Sequence, residues 1–98
     1  MNEPKVLCRT PTPGKSAKAI AKWKYDLVRG AILKAAPKTA GGVAFGDLAV
    51  LVAKGLPASD RKRLGSVNWY TTTVKLHMET TGELQRIAGA HPQRLRRT

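Results

Sequence analysis

Hydrophobic side chains recur at helical spacing between residues 22 and 36. An apolar stripe that returns every three or four positions is typical of an amphipathic helix, with polar side chains on the remaining face. The stripe consists of Trp23, Leu27, Val28, Ala31, Ile32 and Ala35. Lys24, Arg29 and Lys34 fall outside it, and Pro37 ends the segment. We therefore predict a first helix here that packs into a core.

A second, shorter periodic segment covers residues 46–54. Its inward face is expected to comprise Phe45, Leu48, Ala49 and Val52. Gly55 and Pro57 would end this helix, and Val43 with Ala44 suits a very short strand just before it. Polar residues follow to position 65 and are expected to form a connection, in which Ser59 is a candidate cap for a single helical turn.

The third helix is predicted over residues 66–81, with Ser66 as its N-cap and Gly82 just after its last turn. The side facing the core is expected to hold Val67, Tyr70, Thr71, Val74 and Met78. The outer or flanking surface then holds Asn68, Trp69, Thr72, Thr73, Lys75 and Leu76. Consecutive threonines inside a helix call for a reason, because β-branched residues lose side-chain freedom there.

Strand and turn signals occupy the two ends of the chain. Residues 84–87 and 93–97 alternate in polarity around turn residues 89–92, which predicts a β-hairpin. Residues 1–19 contain several prolines and are expected to form an extended arm with a short strand from Val6 to Arg9, leaving 20–98 as the domain proper. The TPGKS of the arm lacks the first glycine of a phosphate loop, where Arg9 stands, so we interpret that match as accidental.

Three helices followed by a two-stranded hairpin is the order of a winged helix-turn-helix domain, an α+β fold. METTGELQRI, residues 78–87, resembles the junction between the third helix and the first wing strand of bacterial winged-helix regulators. RTPTPGK, KYDLVRGAIL, SVNWYTTTVKLHMETTG and HPQRLR also resemble a family of short bacterial proteins of unknown function. The first resemblance implies DNA binding, and the second implies no known activity. The connection of residues 55–65 is longer than the turn of about three or four residues in a tight helix-turn-helix motif.

Charge narrows the choice of partner. Eighteen Lys and Arg against six Asp and Glu give a formal charge of +12. Such a field attracts polyanions, so nucleic acid or an anionic membrane is the expected partner, unless the charge serves only solubility. A membrane is not favoured, because no strongly amphipathic basic helix with exposed aromatic residues is evident.

The predicted nucleic-acid-binding residues belong to the third helix, the basic segment before it and the second wing strand. In a helix-turn-helix motif the second helix enters the major groove. Threonine hydroxyls can bind nucleobases or phosphates there, and asparagine can bind adenine. Basic side chains that flank the helix can contact phosphates. The candidate residues are Arg61, Lys62, Arg63, Ser66, Asn68, Thr72, Thr73, Lys75, Arg94 and Arg96.

Several of these interpretations have an alternative. Thr72 and Thr73 could equally face solvent with their hydroxyls bonded to the preceding turn. Trp69 either packs under the wing or is exposed to a partner. The rival function is a protein interaction module or homodimer, in which Trp69, Thr73 and Leu76 form the docking face.

Catalysis is not expected. His77, Met78 and Glu79 match only a fragment of the zinc deaminase motif, and Cys8 is the only cysteine, so no intrachain disulfide and no multi-cysteine zinc site can form. We expect no cofactor and no metal.

No apolar run has the length of a membrane span, and residues 1–15 lack a signal-peptide core. The sequence thus predicts a cytoplasmic DNA-binding protein of regulator or nucleoid type.

Overall fold

The computed structural model describes residues 3–98 as a mixed α+β domain. In chain order its elements are β1 (Lys5–Cys8), β2 (Lys18–Ala21), α1 (Lys22–Ala35), β3 (Val43–Ala44), α2 (Phe45–Gly55), α3 (Ala58–Leu64), α4 (Val67–Thr81), β4 (Leu84–Arg86) and β5 (Arg94–Arg97). Within that part of the chain the strands form two small antiparallel sheets, β1–β2 and β3–β5–β4.

Aliphatic side chains from α1, α2 and α4 meet in the centre of the domain. Each of these helices contributes residues spaced four apart, which lie on one side of a helix. The fully buried side chains include Val28, Ile32, Leu48, Val52, Val74 and Met78, with Leu84 and Leu95 from the sheet. Burying each of them contributes roughly 1.5–3 kcal/mol, so this cluster supplies the main driving force for folding.

The ends of α4 lie where the capping residues predict. Ser66 Oγ accepts a hydrogen bond from the Trp69 backbone N–H at 3.2 Å. At the other end Gly82 has a φ of +86°, and the Glu83 N–H donates to the Met78 carbonyl at 3.0 Å. A left-handed glycine followed by this bond terminates the helix and satisfies a free carbonyl.

The expectation of three helices is wrong in its count. Residues 58–64, expected to hold at most one helical turn, form the seven-residue helix α3. Pro57 precedes it, Asp60 lies in its first turn, and Leu64 is buried against the core. The acidic residue near the N-terminus of this helix and its buried leucine both stabilise so short and polar a helix.

The C-terminal hairpin is confirmed and gains a third strand. β4 and β5 pair with Gln85 opposite Arg96, and β3 pairs with the other edge of β5, placing Val43 opposite Leu95. Gly42 leads into β3 with a φ of +59° and approaches β5 closely. A Cβ at Gly42 would lie 2.7 Å from Ile87 Cδ1 and closer still to the Leu95 carbonyl oxygen, so this position requires glycine.

Residues 3–21, which include most of the predicted arm, form a β-hairpin. β1 agrees with the predicted short strand, whereas β2 was not predicted, because Lys-Ala-Ile-Ala has little intrinsic strand preference. Between the strands, Thr12 to Lys15 form a turn with Gly14 at a φ of +79°, and the Lys15 N–H donates to the Thr12 carbonyl at 3.4 Å. The hairpin packs on α1 and α4, and the boundary expected between residues 19 and 20 falls inside β2. Met1 and Asn2, which that arm includes, lie outside the described residues.

Candidate nucleic-acid interface

Three consecutive bases lie exposed on α3. Arg61, Lys62 and Arg63 all face solvent. Arg63 rests on the Trp23 ring, with its guanidinium carbon 4.4 Å from the ring centroid, and it reaches Asp60 only at 4.0 Å. An exposed ion pair of that length contributes little, so the three side chains remain available to an external anion.

The first turns of α4 follow α3 after Gly65 and Ser66. Asn68 and Thr72 are exposed there, as expected for residues that contact an external partner. Ser66 is exposed too, although its hydroxyl oxygen is occupied as the helix cap. The structure thus brings five of the predicted residues besides Ser66 into one stretch of surface, formed by α3 and the beginning of α4.

An aromatic and cationic cluster anchors the beginning of α4 to α1. Lys24 Nζ donates to the Leu64 carbonyl at 3.3 Å and to the Tyr70 hydroxyl at 3.1 Å. Trp69 stands edge-on to Tyr70, with ring centroids 4.8 Å apart, and is 46% exposed. Its interpretation as a core residue under the wing is therefore wrong, because the wing lies beside the opposite end of α4.

Lys75 is not an interface residue, contrary to the prediction. It is only 2% exposed, its Nζ lies 2.8 Å from Glu79 Oε2, and it stands 4.6 Å from the Phe45 ring centroid. Arg86 of β4 also contacts Glu79. Burial lowers the pKa of Lys75, while the hydrogen bond that Lys75 donates to Glu79 opposes that shift. The core-facing stripe of α4 is wider than predicted, because Phe45 from α2 covers this flank.

The arm lies across the C-terminal part of the outer face of α4. The Arg9 N–H donates to His77 Nδ1 at 3.0 Å. Thr73 and Leu76 line a pocket beneath the arm and are half-buried. Leu76 is therefore not an outward side chain on an open face, and Thr73 is less accessible than a groove-reading residue would be.

The two wing arginines are held by contacts within the protein. Arg94 Nε donates to the Gly41 carbonyl at 2.7 Å, and its Nη2 donates to the Gly42 carbonyl at 3.1 Å. Arg96 donates from Nε and Nη2 to Gln85 Oε1 at 3.2 and 3.0 Å. Each guanidinium has five N–H groups, so both can still offer a donor to a phosphate while they hold the sheet together.

A second ion pair joins α1 to the residue before β4. Arg29 Nε donates to Glu83 Oε2 at 2.7 Å, and Thr81 Oγ1 donates to Glu83 Oε1 at 2.9 Å. Burial on its own would raise the pKa of Glu83, but the hydrogen bonds from Arg29 and Thr81 and the charge of Arg29 outweigh it, so the pKa is lowered. Desolvation, reinforced by Glu83, raises the pKa of the neighbouring Tyr25.

The sequence interpretation missed three arm cations. Arg9, Lys15 and Lys18 line the pocket beneath the arm together with Trp69 and Thr73. Their only sequence signal is the density of bases and hydroxyls between residues 9 and 18. That signal could not place them beside α4, since the position of the arm depends on its packing.

Three further findings concern residues 3–98. No cluster of three or more His, Cys, Asp or Glu side chains in this range could hold a metal ion. Burial raises the pKa of the Cys8 thiol. None of the helices in the same range combines the length and apolar character needed to cross a membrane.

One family model, described as a family of unknown function (DUF6958), matches residues 5–95. The chain belongs to this family. The match includes the arm hairpin, all four helices described above and most of the C-terminal sheet, so the family's defining unit is the whole fold rather than one motif. Neither the curated proteins nor the solved structures contain a match to the chain.

Proposed function

We propose that this DUF6958 protein binds nucleic acid, most simply duplex DNA, through α3 and the first turns of α4. One observation carries the proposal: the exposed bases Arg61, Lys62 and Arg63 lead directly into exposed Asn68 and Thr72. Exposed basic side chains can bind phosphates, and the short polar side chains beside them can bind the edges of nucleobases or further phosphates.

Charge pairing within the domain supports this surface. Among residues 3–98, Asp26 pairs with Lys22, Glu83 with Arg29, and Glu79 with Lys75 and Arg86. These pairs engage acids with bases elsewhere in the fold. The net positive charge is therefore carried by side chains such as those of α3, which face solvent and can attract a polyanion.

The order of elements supports a winged-helix interpretation of the same surface. Helix, short strand, helix, helix and hairpin follow one another, and the strand pairs with the hairpin in the order β3–β5–β4. In this interpretation α3 is inserted into the helix-turn-helix connection, and α4 is the helix presented to DNA. Because the arm covers the later turns of α4, the first turns would make the contact. The two wing arginines would add phosphate contacts.

Salt-dependent binding tests the proposal. Affinity for unrelated duplexes is measured at several salt concentrations for the wild type and for the triple variant Arg61→Ala, Lys62→Ala, Arg63→Ala. Each lost phosphate contact flattens the slope of log affinity against log salt by about 0.9, so we expect a change of about 2.7.

A charge-matched triple variant serves as the control. Lys34→Ala, Lys38→Ala, Lys54→Ala removes the same charge from exposed residues outside α3 and α4. If the two triple variants lose affinity equally, or if the wild type binds no better than an unfolded basic peptide of equal charge, the proposed surface is wrong.

Association with a protein or a second copy is the second candidate function. Its original support, an outward Leu76, is removed by the arm. Support comes instead from α2, where Val50 is 52% and Leu51 is 42% exposed. Leu51 lines a groove with Leu27 and Ala31 of α1. Large exposed apolar side chains next to a groove are typical of interaction surfaces. If the wild type and the Leu51→Asp variant both sediment as monomers at high concentration, self-association is excluded.

A further inference from the structure

A small pocket separates the arm from the outer face of α4. We call it the arm pocket; it has a volume of about 280 Å³, and its main residues are Arg9, Lys15, Lys18, Trp69 and Thr73. The Arg9–His77 hydrogen bond closes one end of the arm onto α4, and the turn at Gly14 returns the chain towards β2. The pocket is slightly smaller than the usual range for drug-sized ligands, about 300–1,000 Å³, so it could hold only a single small ligand.

The charges around the arm pocket are of one sign. Arg9, Lys15 and Lys18 line it, and no carboxylate does. Among residues 3–98 none of these three side chains takes part in an ion pair with an acid. Four residues with hydroxyl groups, Thr10, Thr12, Ser16 and Thr73, also line the pocket. Cations without a paired acid, together with residues that carry hydroxyl groups, are a suitable environment for a phosphate group.

The opposite wall of the arm pocket is apolar and aromatic. Leu76 and the half-exposed Trp69 belong to it. An exposed indole beside a basic groove is the arrangement on which single-stranded nucleic acids stack their bases. A nucleotide carries a phosphate and a planar base on either side of its sugar, and the basic and aromatic walls of the pocket suit the phosphate and the base respectively.

We infer that the arm pocket binds one unpaired nucleotide, with its phosphate on Arg9, Lys15 and Lys18 and its base on Trp69. The nucleotide would arrive as a strand end or overhang of the nucleic acid that α3 holds, so in this form the assignment rests on the proposed function. A free nucleoside monophosphate has the same chemistry and would occupy the same pocket.

Fluorescence anisotropy with two DNA probes tests this assignment. The probes are a blunt duplex and the same duplex with a short unpaired thymidine overhang, and thymidine monophosphate serves as the free competitor. We expect the overhang probe to bind at least about fivefold more tightly than the blunt probe, the effect of stacking one base. Trp69→Leu should remove the difference between the two probes, whatever its effect on the affinity for the blunt duplex.

Variants of the arm test the proposed contacts between the phosphate and the cations of the arm pocket. Ser16→Asp places a carboxylate in the pocket, and Lys15→Ala, Lys18→Ala removes two cations; both should abolish the preference for the overhang. Lys34→Ala, Lys54→Ala is the charge-matched control and should keep it. Circular dichroism should be used to check that each variant is folded. Ser16 is exposed in a loop, so its replacement should leave the core intact.

The outcomes separate this assignment from the proposed function. Equal binding of blunt and overhang probes, unchanged by Trp69→Leu and without competition by thymidine monophosphate, would overturn the arm pocket and leave duplex binding standing. If neither duplex binds but thymidine monophosphate binds and Ser16→Asp abolishes it, duplex binding fails and the pocket is a site for free nucleotides. Competition at the overhang together with duplex binding supports both.

Discussion

The backbone N–H of Arg9 donates a hydrogen bond to Nδ1 of His77, a residue 68 positions later, at 3.0 Å. This bond joins the end of β1 to the outer side of α4. The His77 ring also stands edge-on to Tyr25 of α1, with ring centroids 5.6 Å apart, so its orientation is set by the helix pair. The surface that α4 presents to solvent therefore depends on whether the arm stays in place.

Replacing His77 by Ala should loosen the arm. The Arg9 amide loses its acceptor, and we expect a loss of about 0.5–1.5 kcal/mol in stability, with faster hydrogen exchange concentrated in residues 9–16. His91 is an exposed histidine in the hairpin turn. His91→Ala is therefore the control, and it should change neither the stability nor the hydrogen exchange of residues 9–16. Unchanged exchange at Arg9 in the His77 variant would show that packing alone holds the arm.

The buried pair of Lys75 and Glu79 should be structural. Glu79→Gln leaves the Lys75 ammonium buried without its carboxylate, which should lower the free energy of unfolding by about 3–5 kcal/mol in urea denaturation. The double variant Lys75→Met, Glu79→Gln should recover most of that loss. Lys75→Met should also leave the salt dependence of nucleic-acid binding unchanged; a slope flattened by about 0.9 would instead make Lys75 a phosphate contact.

The Glu83 carboxylate should make stability fall in acid. Because its folded pKa is lowered from the ordinary value of 4.5, the stabilisation is complete above that value and is lost as the pH falls through the folded pKa. Arg29 and Glu83 are 41% and 25% exposed, so solvent screening limits the effect to about 0.5–1 kcal/mol.

Urea denaturation of Glu83→Gln and Arg29→Gln checks this expectation. Each variant should be less stable than the wild type at pH 7, and the deficit should shrink at lower pH as Glu83 becomes protonated in the wild type. A deficit that stays constant with pH would mean that the pair acts through packing rather than through charge.

Gly42→Ala should destabilise the C-terminal sheet. Alanine would have to adopt the left-handed backbone of this position, and its methyl group would clash with Ile87 and the Leu95 carbonyl. Together these two effects should lower stability by at least about 2 kcal/mol. Gly41→Ala is a close control, because no atom lies within 4 Å of the Cβ position there and no positive φ is required. Equal melting temperatures for the two variants would contradict the close approach.

Local patterns in the sequence determined the helices and the C-terminal hairpin. The apolar spacing around Val28, Leu48 and Val74 predicted α1, α2 and α4 to within one residue at each end, because side chains at helical spacing can be buried only together. Ser66 and Gly82 marked the ends of α4 by their own backbone and side-chain preferences. Alternation and turn residues likewise predicted β4 and β5.

The tertiary structure decided which polar side chains remain accessible. Lys75 has the polarity of a surface residue but is buried, because Phe45 covers it from α2, an element distant in sequence. β2, the position of the arm and its pocket beside Trp69 likewise depend on long-range packing. The helical spacing of apolar residues indicates which side of a helix faces the core. Whether the other side is covered depends on contacts between segments that are distant in sequence, and no local pattern encodes these contacts.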